Sequence, residues 1–116
     1  MEVERLQLEY IDFLKIDAEG YDLHVLRGAS KLLAQQKIGV IQFEYNIPWK
    51  TVNSTLKEAF ELLKSFGYQV FLLKNAGLFD IKFNGENEYF DYSNYVAISP
   101  KKIDDLRQLI KILKIF

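Results

Sequence analysis

The sequence predicts an α/β domain built around a largely parallel sheet. Two observations carry this reading. Short apolar runs alternate with stretches of helical periodicity, and the residues between them are of the kinds that end strands and helices. A third concerns material: 49% of the 116 residues are hydrophobic, including nine Phe and seven Tyr, enough to fill a core.

The first element is Ile11–Ile16, an apolar run followed at once by Asp17 and Gly20, which reads as a buried strand ending in a tight turn. From Tyr21 to about Gln36 the spacing turns helical. Leu23, Leu26, Ala29 and Leu33 form one stripe, while Arg27, Lys31 and Gln35 face water. Gly28 inside this helix costs about 1 kcal/mol relative to Ala, a cost that close approach to a sheet would offset. Ile38–Tyr45 is the second strand, broken at Asn46–Trp49 because Pro48 cannot continue a ladder. Ser54 or Thr55 then caps a helix. Thr55-x-x-Glu58 has the form of a capping box, Leu56, Ala59, Phe60 and Leu63 form the buried stripe, and Gly67 ends the element.

Tyr68–Lys74 is a third strand, followed by a short extended piece near Phe79–Phe83 between turn-forming segments. Tyr95–Ser99 is a fourth strand. A last helix is expected over Ile103–Leu113, with Asp104 and Asp105 in its first turn and Lys111 in its last. No helix separates the third strand from the fourth, so that pair is expected to be antiparallel. Residues 1–116 are expected to form one unit.

Composition excludes several function classes. The net charge of −1 gives no basic surface for nucleic acid. The absence of cysteine rules out disulfides, zinc knuckles and thiol catalysis. No apolar run approaches the roughly 20 residues that span a bilayer, and the opening MEVERLQLEY has no signal-peptide core. The expectation is a cytoplasmic protein with no nucleic-acid or membrane partner.

In open α/β sheets, ligands sit beyond the carboxyl ends of the strands. Asp17 and Glu19 follow the first strand and Glu44 ends the second, so neighbouring parallel strands would set three carboxyl groups around one crevice. Such groups can take a proton, steer an acceptor or hold a divalent cation. Asp17 also suits a helix cap, and Glu19 a first-turn position. Tyr45, Asn46 and Trp49 follow on the second strand and can line an acceptor pocket; an aromatic there is as often core rim. Lys15 reads as a strand residue paired with a carboxylate, and His24 as solvent-facing or helix-packing. Asn94 and Tyr95 are read as structural, at the start of the antiparallel strand and away from the crevice.

The segment from Phe13 to Ala29, FLKIDAEGYDLHVLRGA, resembles the signature of FkbM-type methyltransferases. Ile41–Tyr45, Ser54–Lys57, Gly67-Tyr68 and Ser93–Ala97 resemble later parts of the same family, in the same order. The resemblance implies the C-terminal half of a Rossmann-like class I methyltransferase fold, its strands 4-5-7-6 with the last antiparallel. It implies methyl transfer from S-adenosylmethionine to an oxygen of a small-molecule or sugar acceptor, with Asp17, Glu19 and Glu44 catalytic, Asp17 also facing the cofactor, and Tyr45, Asn46 and Trp49 meeting the acceptor.

It also implies a glycine-rich cofactor turn, and the six glycines at 20, 28, 39, 67, 77 and 85 form none. The chain is therefore expected to supply the acceptor side only. It would pair through strand Ile11–Ile16 with an N-terminal half or with a second copy. The competing reading is a non-catalytic half-domain, a remnant or an interaction module. A complete flavodoxin-like domain leaves the ordered matches unexplained.

Overall fold

The computed structural model describes residues 10–75, 77–80 and 92–106, and the backbone of 110–112. One mixed sheet runs through it, with strands β1 (Ile11–Ile16), β2 (Ile38–Tyr45), β3 (Gln69–Lys74), β4 (Gly77–Asp80), β5 (Ser93–Ile98) and β6 (Ile110–Ile112). Their spatial order is β1-β2-β5-β3-β4-β6. β1 and β2 are parallel, and β5 lies between β2 and β3, antiparallel to both. β4 is antiparallel to β3, and β6 is parallel to β4. The expected antiparallel pairing of third and fourth principal strands is present.

Between the strands lie α1 (Asp22–Gly28), α2 (Ser30–Ala34), α3 (Pro48–Thr51) and α4 (Leu56–Ser65). α1 packs against α4, so both cover the same face of the sheet. The core lies between this helical layer and Ile41, Phe43, Tyr45, Tyr95 and Ala97 of the central strands. On the opposite face Phe71, Leu78, Val96 and Ile98 form a second cluster, partly covered by Ile103 and Leu106.

Local chemistry explains the ends of α4. Thr55 accepts a hydrogen bond from the Glu58 amide at 3.1 Å and donates to the Glu58 carboxylate at 2.9 Å, so the expected capping box closes at Thr55. At the other end Gly67, at φ +87°, donates to Lys64 O and Tyr68 donates to Leu63 O, the two bonds of a Schellman cap. Behind it the Tyr68 hydroxyl donates to the buried carbonyl of Ile38, tying the start of β3 to the start of β2.

Two sequence expectations fail. The helix read over Tyr21–Gln36 is broken at Ala29 into α1 and α2. Gly28 has low helix propensity, and the Ser30 hydroxyl donates to Arg27 O at 2.6 Å, offering the backbone a partner outside the helix ladder. Nothing lies within 4 Å of the Cβ that Gly28 lacks, so it is not a point of close approach to the sheet.

The helix expected over Ile103–Leu113 is also absent where the structure describes that segment. Residues 100–106 form successive turns, held by bonds from the Lys102 and Ile103 amides to Ser99 O, and Ile110–Ile112 is a strand beside β4. Ile103 and Leu106 bury themselves on the second face of the sheet from turns instead of a helix, and β-branched Ile110 and Ile112 suit a ladder. Of the extended piece read near Phe79–Phe83, Phe79 and Asp80 fall in β4 and residues 81–83 lie outside the described residues.

Gly28→Ala is expected to stabilise the chain by about 0.5–1 kcal/mol, since the new methyl meets open space and the unfolded chain loses freedom. Urea denaturation checks this; a destabilised variant would mean that Gly28 is required by something other than the helix.

Candidate functional site

The carboxyl ends of β1 and β2 meet at one edge of the sheet, and the turn after β1 is shaped by its glycine. The Tyr21 amide donates to Ala18 O at 3.1 Å, closing a turn whose central residues Glu19 and Gly20 have φ of 47° and 102°. A Cβ on Gly20 would stand 2.8 Å from the backbone and side chain of Pro48. Only glycine lets this turn touch the loop after β2. The two loops are therefore in direct contact.

Glu19 holds left-handed backbone without being a glycine, a conformation that costs on the order of 1 kcal/mol. Gln36 and Asn53 share that conformation, but each follows a helix and closes its C-terminal cap. Glu19 ends no helix. Its side chain and that of Asp17 are exposed. Asp17 does not cap α1, whose first residue is preceded by Tyr21 with no side-chain cap.

The residue that organises the site is one that the sequence reading passed over. Asp22, 1% exposed at the start of α1, accepts from the Ala18 amide at 3.3 Å through one carboxylate oxygen and from the Glu44 amide at 3.2 Å through the other. One buried carboxylate thus joins the turn after β1 to the end of β2. Burial pushes its carboxyl above the ordinary value; the two amides, which favour the anion, oppose the shift, and the nearby Glu44 charge adds to it. The sequence held one hint: an acidic residue in the first turn of a helix beginning just past DAEG.

Glu44 is fixed at three points. Its amide donates to Asp22, its carbonyl accepts from the Trp49 indole at 2.8 Å, and its carboxylate accepts from Asn46 Nδ2 at 2.7 Å. Asn46 Oδ1 is buried and meets no hydrogen-bond donor among the described residues. Tyr45 and Trp49 are core residues, with Trp49 0% exposed. Their rings pack edge to face at 5.0 Å, and Phe43 lies beside Trp49. They support the loop from behind, and Asn46 is the half-exposed member of the three.

Strand register adds a residue that was read as remote. Glu44 pairs with Asn94 across the β2–β5 ladder, and paired residues share a face. An antiparallel strand placed among parallel ones begins where its neighbours end. The start of β5 therefore lies at the crevice, which corrects the placement of Asn94 away from it. Tyr95, the next residue, points to the other face and stacks on Phe43 in the core, as its structural reading expects. Ile16 pairs with Phe43, so Asp17 stands one position further, level with Glu44. Asp17, Glu44 and Asn94 occupy one row across three strand ends, on the face opposite α1 and α4.

Among the described residues no three acidic or histidine side chains gather in a metal-holding arrangement. Lys15 is exposed on the same face as this row, level with Gln42, and His24 is exposed with its ring 5.4 Å from that of Tyr21. A cavity of about 270 Å³ lies at the opposite end of the sheet, between Phe60, Lys64, Tyr68 and Asp80, away from this chemistry.

Residues 2–70, more than half of the chain, match the Methyltransferase FkbM domain. The chain belongs to the FkbM methyltransferase family. No curated protein and no solved structure matches it. The match covers part of the family domain and includes β1, β2 and the loops that carry Asp17, Glu19, Asp22 and Glu44. No helix among the described residues is long and apolar enough to cross a membrane.

Asp22→Asn is expected to cost about 1–3 kcal/mol at neutral pH, because an amide offers one acceptor to two backbone donors. The raised carboxyl value fixes the sign of the pH dependence. The folded state holds this proton more tightly than the unfolded state, so its contribution is complete below pH 3.8 and is lost as pH rises through the higher folded value. The stability difference between parent and variant should shrink over that window in urea titrations. A difference that grows with pH would contradict the assignment.

Proposed function

We propose that this chain supplies the acceptor side of an S-adenosylmethionine-dependent O-methyltransferase acting on a small molecule or sugar. Family membership supports the reaction class. The observation that carries the residue assignment is the row Asp17–Glu44–Asn94 at the strand ends, with Asn46 bonded to Glu44 beside it. On this reading β1, β2, β5 and β3 correspond to strands 4-5-7-6 of the complete methyltransferase fold.

The residues here suit the acceptor and not the whole cofactor. Among the described residues no glycine-rich turn offers backbone amides to the methionine part, and Gly20 is committed to its contact with Pro48. The cofactor, when bound, supplies an electrophilic methyl group. Asp17 stands at the end of β1 on the cofactor side. Glu44, held in place by Asn46 and Asp22, takes the proton of the acceptor hydroxyl. Glu19, presented by a strained turn, steers the acceptor from the opposite lip.

In the chain joined to a cofactor-binding half, Glu44→Gln and Glu19→Gln are expected to lower turnover, Glu44→Gln by about 10²-fold. Unchanged turnover in both would reject the carboxylate assignment. Titration calorimetry of this chain with S-adenosylmethionine is expected to show no binding, and micromolar affinity would overturn the division of roles.

The edge of β1 belongs to the same reading. Among the described residues β1 pairs with β2 alone, and Phe13 is 53% exposed on the face away from the helices. Parallel strands are ordinarily covered on both faces, and an apolar edge invites another strand. A strand of the cofactor-binding half fills this edge in the complete enzyme, and a second copy fills it in the isolated chain. Sedimentation at micromolar concentration should show self-association that Phe13→Lys weakens; a folded monomer would count against it.

A further inference from the structure

The free side of β1 has a form that a second copy of the same strand completes. Backbone groups of successive strand residues turn alternately to the two edges. The Ile11 amide turns toward β2 and donates to Lys37 O at 2.7 Å. The groups left for the free edge therefore lie within residues 12–16, and the middle residue of that stretch is Leu14. Its two faces differ. Leu14 and Ile16 pack toward the core beneath the helices, Leu14 only half-buried, while Phe13 and Lys15 are exposed on the other face. Lys15 forms no ion pair among the described residues, although Asp17 stands two positions along the same face.

Two copies that meet along one edge are related by a dyad. With the dyad perpendicular to the sheet, the β1 strands run antiparallel and both helical layers stay on one side. A dyad along the strand would turn one copy over and set its helical layer beside the open face of the other. Side chains opposed across an antiparallel ladder share a face, so the dyad passes through a residue and not between two. Centred on Leu14, it sets Leu14 against itself, Phe13 against Lys15 of the second copy, and Asp12 against Ile16. Residues 12–16 are then all paired. The half-buried leucines cover each other, and each Lys15 ammonium reaches the exposed ring of a Phe13. A dyad through Lys15 opposes like charges, and one through Phe13 draws on Ile11, whose amide is already bonded.

We propose that the isolated chain forms a two-fold dimer in which the β1 strands pair antiparallel with Leu14 on the axis, joining the two sheets into one. This rests on the open-edge reading of β1 and adds a direction, a register and a consequence. Among the described residues β1 has one free edge, which holds one strand at a time. The dimer and union with a cofactor-binding half therefore exclude each other, and self-association is a closed form of the chain.

The chain contains no cysteine, so one introduced thiol reports on one position. Phe13→Cys, Leu14→Cys and Lys15→Cys are each oxidised mildly at micromolar concentration, and the disulfide-linked dimer is followed by non-reducing electrophoresis. Leu14→Cys is expected to cross-link about tenfold faster than the other two, whose like positions stand about 8 Å apart between Cα atoms, beyond disulfide reach. Circular dichroism checks that each variant keeps its fold. Amide hydrogen exchange on the unsubstituted chain is the second measurement and needs no variant: protection within residues 12–16 should rise as the protein is concentrated.

Faster cross-linking at Phe13 or Lys15, equal rates at all three positions, concentration-dependent protection confined to other segments, or a folded monomer throughout would each overturn the proposal. Association with the wrong cross-link would leave the open-edge reading standing, whereas a monomer would remove both. None of these measurements involves methyl transfer, so failure of the methyltransferase reading would appear separately, as absence of turnover in the reconstituted enzyme.

Discussion

The site depends on one buried carboxylate. Asp22 is withdrawn from water and given two backbone amides in return, one from the turn after β1 and one from the last turn-ward residue of β2. Both amides lie just past the last β1–β2 pair, Ile16 with Phe43, so the carboxylate supplies hydrogen bonds where that ladder has ended. The anion also sits at the amino end of α1, where the helix dipole favours negative charge. The contact of Gly20 with Pro48 closes the same junction sterically. Together they hold two loops of unrelated sequence at one spacing, and the candidate carboxylates are displayed on those loops.

Behind the loops lies a packed aromatic wall. Phe43 stacks on Tyr95 at 5.6 Å and contacts Trp49, Trp49 meets Tyr45, and Phe60 meets Tyr95 edge to face at 5.5 Å. These rings span β2, α3, α4 and β5, so the surface that carries Glu44, Asn46 and Asn94 is backed by side chains with little freedom to move. Rigidity at the back and polar groups at the front suit the acceptor site proposed above.

What the sequence disclosed was the local part of this arrangement. The capping box at Thr55 and Glu58 and the terminal glycine at Gly67 involve residues a few positions apart, and the pattern alone locates them. The order of the principal strands β1, β2, β3 and β5, and the helical segments between the first three, followed from periodicity. Asp22 was passed over because one of its partners is 22 residues away, and nothing in a linear pattern marks such a bond. Tyr45 and Trp49 were read as pocket lining because aromatic residues next to polar ones are ambiguous until the packing is known. Asn94 is expected away from the crevice, yet the antiparallel direction expected for its strand itself sets the start of β5 level with the end of β2. The segment after Ser99 carries apolar residues that suit a helix stripe, and its pairing with β4, a tertiary choice, overrides that pattern.

The position of β5 has a consequence for how the molecule comes into being. β2 and β3 are separated by a gap that only β5 fills, and every ladder bond across that gap involves residues 93–98. The first two-thirds of the chain can build β1, β2 and the helical layer, but β3 has no permanent neighbour toward β2 until a later segment slides between them. Closing that gap joins residues roughly fifty positions apart, the kind of long-range contact that comes late and slowly in folding. The row that ends in Asn94 is therefore completed by the last principal strand to be synthesised. A nascent chain carries Glu44 well before it carries the formed row, whose spacing exists only once the sheet is whole.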